Sequence, residues 1–102
     1  MNMKSVLKYQ IPVKYQVVNV PMEAGDRIVH VGEQRGQVMM WVERKQPEGG
    51  AIRPGTDVEV SAQPVRRFIV VGTGQPVYDH WFHCGTAICA GGGLVWHVYE
   101  VG

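Results

Sequence analysis

Cysteine is scarce in this chain, long apolar runs are missing and the charges nearly cancel, and each shortage closes off a class of protein. Two cysteines, Cys84 and Cys89, among 102 residues are too few for the disulfide framework of a small secreted domain. They stand five apart in a segment that reads as a strand, which predicts side chains on opposite sides, no bridge between them and a reducing compartment. No stretch reaches the roughly 18 consecutive apolar residues of a membrane span, and Met1 to Gln10 lacks the apolar core of a signal peptide. The expectation is a cytoplasmic protein with no membrane partner. A formal charge of +1 gives no broad positive field, so bulk nucleic-acid binding is not expected, although a local arginine cluster could still hold one phosphate.

What is present is ordinary globular composition, with 45% apolar and 19% charged residues, enough for one core. A domain of roughly 100 to 150 residues is the usual unit, so residues 1–102 are read as a single β domain. A chain this small buries a modest share of its surface, which makes a homo-oligomer the expected state. Internal repeats, low-complexity tracts and charge runs are absent.

Alternation of apolar and polar residues recurs with turn residues every eight to twelve positions. It predicts an all-β fold, a small antiparallel β-sandwich or partly open barrel of about seven or eight short strands. The strands are placed at Val6–Ile11, Tyr15–Val20, Arg27–Glu33, Val38–Arg44, Val58–Ser61, Val65–Val71, Trp81–Cys89 and Leu94–Val101. Gln34-Arg35-Gly36 supplies a tight reversal, making a hairpin of the third and fourth. In the third, Ile28, His30 and Gly32 are expected on one face, Val29 and Val31 on the other. Lys45 to Asp57, rich in proline and glycine, reads as an exposed loop.

No motif carries catalysis. His80, His83, His97 and Cys84 are residue types that bind zinc, but their spacing matches no ligand pattern, and no metal or cofactor is expected. Cys84 or Thr86 beside a histidine could act as a nucleophile, yet no signature supports it. Gly72-Thr73-Gly74 could cradle an anion with its backbone N–H groups, though turn-making explains it as well. Arg35, Arg66 and Arg67 could clamp a phosphate, although arginines at such positions are commonly just solvated. Trp41, Trp81 and Trp96 could pack in the core or stack on a flat ring. Arginines, glycine turns and tryptophans together suit holding a ligand better than transforming one.

Four ordered blocks, Ile28-Val29-His30-Val31-Gly32-Glu33-Gln34-Arg35-Gly36, Trp41, Arg66-Arg67-Phe68-Ile69-Val70-Val71-Gly72-Thr73-Gly74 and Gly92-Gly93-Leu94-Val95-Trp96-His97-Val98-Tyr99-Glu100, resemble a family of small bacteriophage- and prophage-encoded proteins of unknown function. The resemblance covers most of the chain; Lys45 to Pro64 and Trp81 to Cys89 depart from it more than the blocks do. It implies a phage setting and the host cytoplasm, and no mechanism. By analogy with phage proteins that sequester host immune signals, the expected function is a non-enzymatic accessory protein. It would bind a small phosphate-bearing ligand, such as a cyclic nucleotide or cyclic ADP-ribose signal, as a homo-oligomer. Arg35, Arg67 and Thr73 are the expected phosphate contacts, and Trp41 and Trp96 the expected stacking or pocket-shaping groups. The alternative is a protein-interaction module, a minor virion component or an inhibitor of a host protein, docking through a sheet edge or the 45–57 loop.

Overall fold

A computed structural model describes residues 3–46 and 64–102. Among these residues seven strands form two antiparallel sheets. Sheet A has three, in the order β1-β4-β3: β1 (Lys4–Gln10), β4 (Gln37–Lys45) and β3 (Arg27–Gln34). Sheet B has four, in the order β2-β5-β7-β6: β2 (Val18–Val20), β5 (Arg66–Gly72), β7 (Leu94–Glu100) and β6 (Phe82–Cys89). One core lies between them, with Val31, Val38, Met40 and Val42 from sheet A and Phe68, Val70, Ala87, Cys89 and Val98 from sheet B. The expected β-sandwich is therefore what forms, and the described strands do not close into a barrel.

Alternation explains which residues fill this core. Along β4 the even positions Val38, Met40 and Val42 are buried while Met39, Trp41 and Glu43 are only partly so, the pattern of a strand with one face on a core and one towards water. Each fully buried aliphatic or aromatic side chain contributes about 1.5–3 kcal/mol of transfer free energy. Ile11 and Met22, from the connections flanking β2, complete the core.

The predicted hairpin is present. Arg35 and Gly36 both have positive φ, 55° and 77°, which makes the two-residue turn of mirror-image type that matches strand twist. The second predicted strand shortens from Tyr15–Val20 to Val18–Val20. The predicted Val58–Ser61 strand and most of the Lys45–Asp57 loop lie outside the described residues.

Two bulges overturn expectations based on strict alternation. In β3 the register shifts between Ile28 and His30, so Val29 is the extra residue; Ile28 and Val31 both pack on the core, and Ile28 no longer shares a face with His30 and Gly32. In β6 the register shifts between His83 and Gly85. Cys84 is the extra residue there, and it packs against the core that holds Cys89, so the two cysteines do not face opposite sides. Both thiols are free. A bulge adds one residue without a partner and resets the parity beyond it.

The sheets meet most closely where edge strand β3 passes edge strand β6. A Cβ on Gly85 would lie 2.6 Å from the Cβ of Val31 and 2.8 Å from its Cγ2. The residue without a side chain lets the backbones approach.

Candidate functional site

The five residues expected to share a pocket do not all come together. Thr73 and Trp96 come together, lining an open depression of about 500 Å³ with Tyr15, Gln75 and Leu94. Arg35 caps the β3–β4 hairpin. Arg67 is exposed on β5 and donates to the Gly102 carbonyl oxygen at 3.1 Å. Trp41 belongs to sheet A, whereas Trp96 belongs to sheet B and packs against the core. Among the described residues no cation lines the Thr73 depression, and the Gly72 N–H that could have served an anion instead donates to the Gln75 side-chain oxygen at 2.6 Å.

A different grouping emerges on the outer face of sheet A. Residues directly opposite in an antiparallel pair share a face, so the register reads off this surface in rows. Lys4 pairs with Lys45; Val6, Glu43 and Arg27 form the next row; then Lys8, Trp41 and His30; then Gln10, Met39 and Gly32. Successive rows stand about 6.7 Å apart, two residues of strand rise. Among the described residues this face carries four cations, Lys4, Lys8, Arg27 and Lys45, and one carboxylate, Glu43.

Glu43 holds two of those cations loosely, Lys4 Nζ at 3.6 Å and Arg27 Nε at 3.5 Å, with the cationic side chains 58% and 74% exposed. Lys4, Gly25, Arg27, Glu43 and Lys45 surround a depression of about 230 Å³. Beside it lies the half-buried indole of Trp41, with the His30 ring 5.5 Å away and tilted at 42°. Gly32 makes this arrangement possible: a Cβ there would come within 2.8 Å of His30 Nε2 and 3.6 Å of the indole. Lys8 runs diagonally over the same face to donate to the Gln34 side-chain oxygen at 2.7 Å.

One end of the sandwich is tied by an ion network that pattern reasoning missed. Asp26 is buried, and Arg44 grips its carboxylate from Nε at 3.0 Å and Nη2 at 2.7 Å. The Glu23 N–H donates to the same carboxylate at 3.0 Å. Arg66 pairs bidentately with Glu100, both contacts 2.7 Å, and donates to the Asp26 carbonyl oxygen at 2.8 Å. Arg66 is thus no solvated arginine; it links sheet B to the turn that begins β3. The Arg44 hydrogen bond, reinforced by the Glu23 N–H and nearby positive charge, holds the Asp26 carboxyl below the usual carboxylate range against the effect of burial. No local signal announces these pairs, whose members stand 18, 34 and 40 residues apart.

The outer face of sheet B carries His83 and His97. His97 shares one ring nitrogen with the Thr73 hydroxyl at 2.8 Å and the other with the Thr86 hydroxyl at 2.9 Å, and His83 Nε2 also reaches Thr86 at 3.1 Å. Because β5 and β6 both run antiparallel to β7, the connection between them returns along the sheet. It brings Trp81 over Tyr99, ring centres 6.5 Å apart, and stacks Tyr78 beside His80 at 5.6 Å. Among the described residues no three His, Cys, Asp or Glu side chains converge as metal ligands. Burial pushes the Cys84 thiol up to about 11, with the Glu100 charge adding to it, and burial raises Cys89 as well. Neither thiol is a thiolate near neutral pH.

No curated protein and no solved structure matches the chain. The domain of unknown function DUF7352 matches residues 3–102, and with nearly the whole length covered the chain belongs to that family.

Proposed function

We propose that the protein is a non-enzymatic binding domain for a phosphate-bearing nucleotide ligand, held on the outer face of sheet A. The observation that carries this reading is the coincidence, on one solvent-facing sheet, of the Trp41 indole with Lys4, Arg27 and Lys45 grouped around a single carboxylate. Ammonium and guanidinium groups grip a phosphate through charge-assisted hydrogen bonds, and an indole stacks on a base of any sequence. Relative to the sequence expectation, the phosphate contacts move from Arg35, Arg67 and Thr73 to Lys4, Arg27 and Lys45, while Trp41 keeps its stacking role. One feature favours binding without turnover: burial keeps both thiols protonated. In the phage setting that the sequence blocks resemble, such a domain would sequester a nucleotide signal in the host cytoplasm, with assembly into a homo-oligomer adding further contacts.

Calorimetry against mononucleotides, cyclic nucleotides and cyclic ADP-ribose isomers tests the reading. Trp41→Ala is expected to weaken binding by about 1–3 kcal/mol, the range for loss of one stacked base. Glu43→Gln is expected to strengthen it several-fold, because it removes the carboxylate that pairs with Lys4 and Arg27. Absence of heat across the panel at micromolar ligand, or weaker binding by the Glu43 variant, overturns the proposal.

A further inference from the structure

The reading above puts a phosphate at one end of sheet A, but the cations of that face do not stop there. Lys4, Lys45 and Arg27 occupy the first two rows, Trp41 the third, and Lys8 starts in the third row and reaches the side chain of Gln34, which pairs with Gln37 in a fifth row at the hairpin end. Beyond that row Arg35 sits at the hairpin tip, exposed, with a positive φ. From Lys45 to Gln37 the strand runs about 27 Å at the usual rise. A mononucleotide resting on Trp41 with its phosphate among Lys4, Arg27 and Lys45 leaves Lys8 and Arg35 without an anion, and among the described residues one carboxylate, Glu43, serves the whole face.

Resting on the nucleotide-binding reading, we infer that the ligand of this face is a short single-stranded polynucleotide laid along β4, with phosphates of different nucleotides on the cations at the two ends and a base on Trp41 between them. A positively charged track interrupted by a flat aromatic group is what a single strand requires, since each base has a face to stack and each linkage a charge to neutralise. An acidic peptide shares the charge but supplies no flat ring to the indole. The width of one strand also suits a three-stranded sheet whose outer surface is shallow, with Gly32 and Met39 in the row beside Trp41. The near-zero total charge fits as well: affinity here rests on one local face and so neutralises few phosphates.

The test compares, at several salt concentrations, binding of adenosine monophosphate, of an oligothymidylate about eight nucleotides long (single-strand sites span ~4–16) and of a polyglutamate of equal charge. The oligothymidylate is expected to bind at least about tenfold tighter than the mononucleotide. Its affinity should fall with a log–log salt slope near −2, as about three neutralised phosphates give at ~0.7 each. Lys8→Ala is expected to weaken the oligonucleotide several-fold, lower that slope by about 0.7, and leave the mononucleotide unchanged. Equal affinity for mononucleotide and oligonucleotide, with Lys8→Ala silent, overturns the polynucleotide inference while leaving the nucleotide reading standing. Failure of both to bind overturns the reading itself, and polyglutamate binding as tightly as the oligonucleotide overturns the inference in favour of an acidic protein partner.

Discussion

Two glycines of this fold each sit where a side chain would collide with a neighbour, and what the neighbour is made of decides the outcome of adding one. At Gly85 an added Cβ lands 2.6 Å from the Val31 Cβ. Carbon atoms prefer about 3.5–4.0 Å, so the gap must widen by roughly 1 Å. Val31 is 3% exposed, and a Cβ cannot be moved by changing rotamer; only the β3 and β6 backbones can yield. Overpacking of that kind costs about 1–3 kcal/mol, and the case belongs near the upper end, offset by about 0.4–1 kcal/mol from the stiffer unfolded chain of alanine. Gly85→Ala is therefore expected to destabilise by about 2 kcal/mol, or about 8–16 °C in Tm at roughly 4–8 °C per kcal/mol. At Gly32 the added Cβ meets His30 Nε2 at 2.8 Å, the far end of an exposed side chain that can swing away, so Gly32→Ala should stay within about 0.5 kcal/mol, the range of ordinary surface substitutions. Urea unfolding followed by tryptophan fluorescence, read as a midpoint shift at unchanged slope, compares the two. Equal midpoints for both variants, or a Gly85→Ala midpoint at the wild-type value, would refute the idea that the β3–β6 contact is rigid.

The remaining predictions concern the ion network and the thiols. Because the folded Asp26 carboxyl lies below its unfolded value near 3.8, its contribution to stability is complete above that pH and lost as pH falls through the lower folded value. Urea midpoints should thus decline in acid, and Asp26→Asn should flatten part of that decline. The same variant should cost about 2–4 kcal/mol at neutral pH, below the ~3–5 of a fully buried broken pair because the Arg44 side chain is 28% exposed; a neutral-pH midpoint equal to wild type would sink the network's structural role. Cys84 and Cys89 should resist Ellman's reagent at pH 7 in the folded protein and react fully in urea; rapid labelling of Cys84 in the native state contradicts the raised thiol.

The period-two pattern made the sandwich and the β3–β4 hairpin legible, because burial on one face writes directly into the sequence and Arg35-Gly36 marks the turn. It failed at Val29 and Cys84, where a bulge adds a residue that looks in sequence like any other strand position, and at Asp26, Arg44, Arg66 and Glu100, whose pairing depends on strands distant along the chain. Trp41 was singled out for its chemistry, but its neighbours Lys4, Lys8, Arg27 and Lys45 could not be, since only the register of β1 and β3 on β4 sets them in adjacent rows. Of the residues singled out as a site, Thr73 and Trp96 line one depression, while Arg35 and Arg67 stand elsewhere. The β5–β7 pairing sets Gly72 opposite Trp96 and so brings the adjacent Thr73 to it, a proximity that no local pattern announces.

The same pairing accounts for how a chain of formal charge +1 presents a strongly basic face. Asp26 and Glu100 are taken up by Arg44 and Arg66 at one end of the sandwich, and the Glu33 carboxylate accepts the Gly36 N–H in the hairpin turn. Arg44 and Arg66 cancel Asp26 and Glu100, and the surplus on sheet A is offset elsewhere in the chain, by Glu33 and Asp79 among others; on the outer surface of sheet A, among the described residues, Glu43 alone opposes four cations. Exposed charges more than about a Debye length apart, ~8–10 Å at moderate salt, scarcely feel one another, so a ligand on that face meets the local surplus rather than the sum. A net charge near zero therefore argues against indiscriminate uptake of nucleic acid by the whole molecule and leaves open a single strand bound in one place.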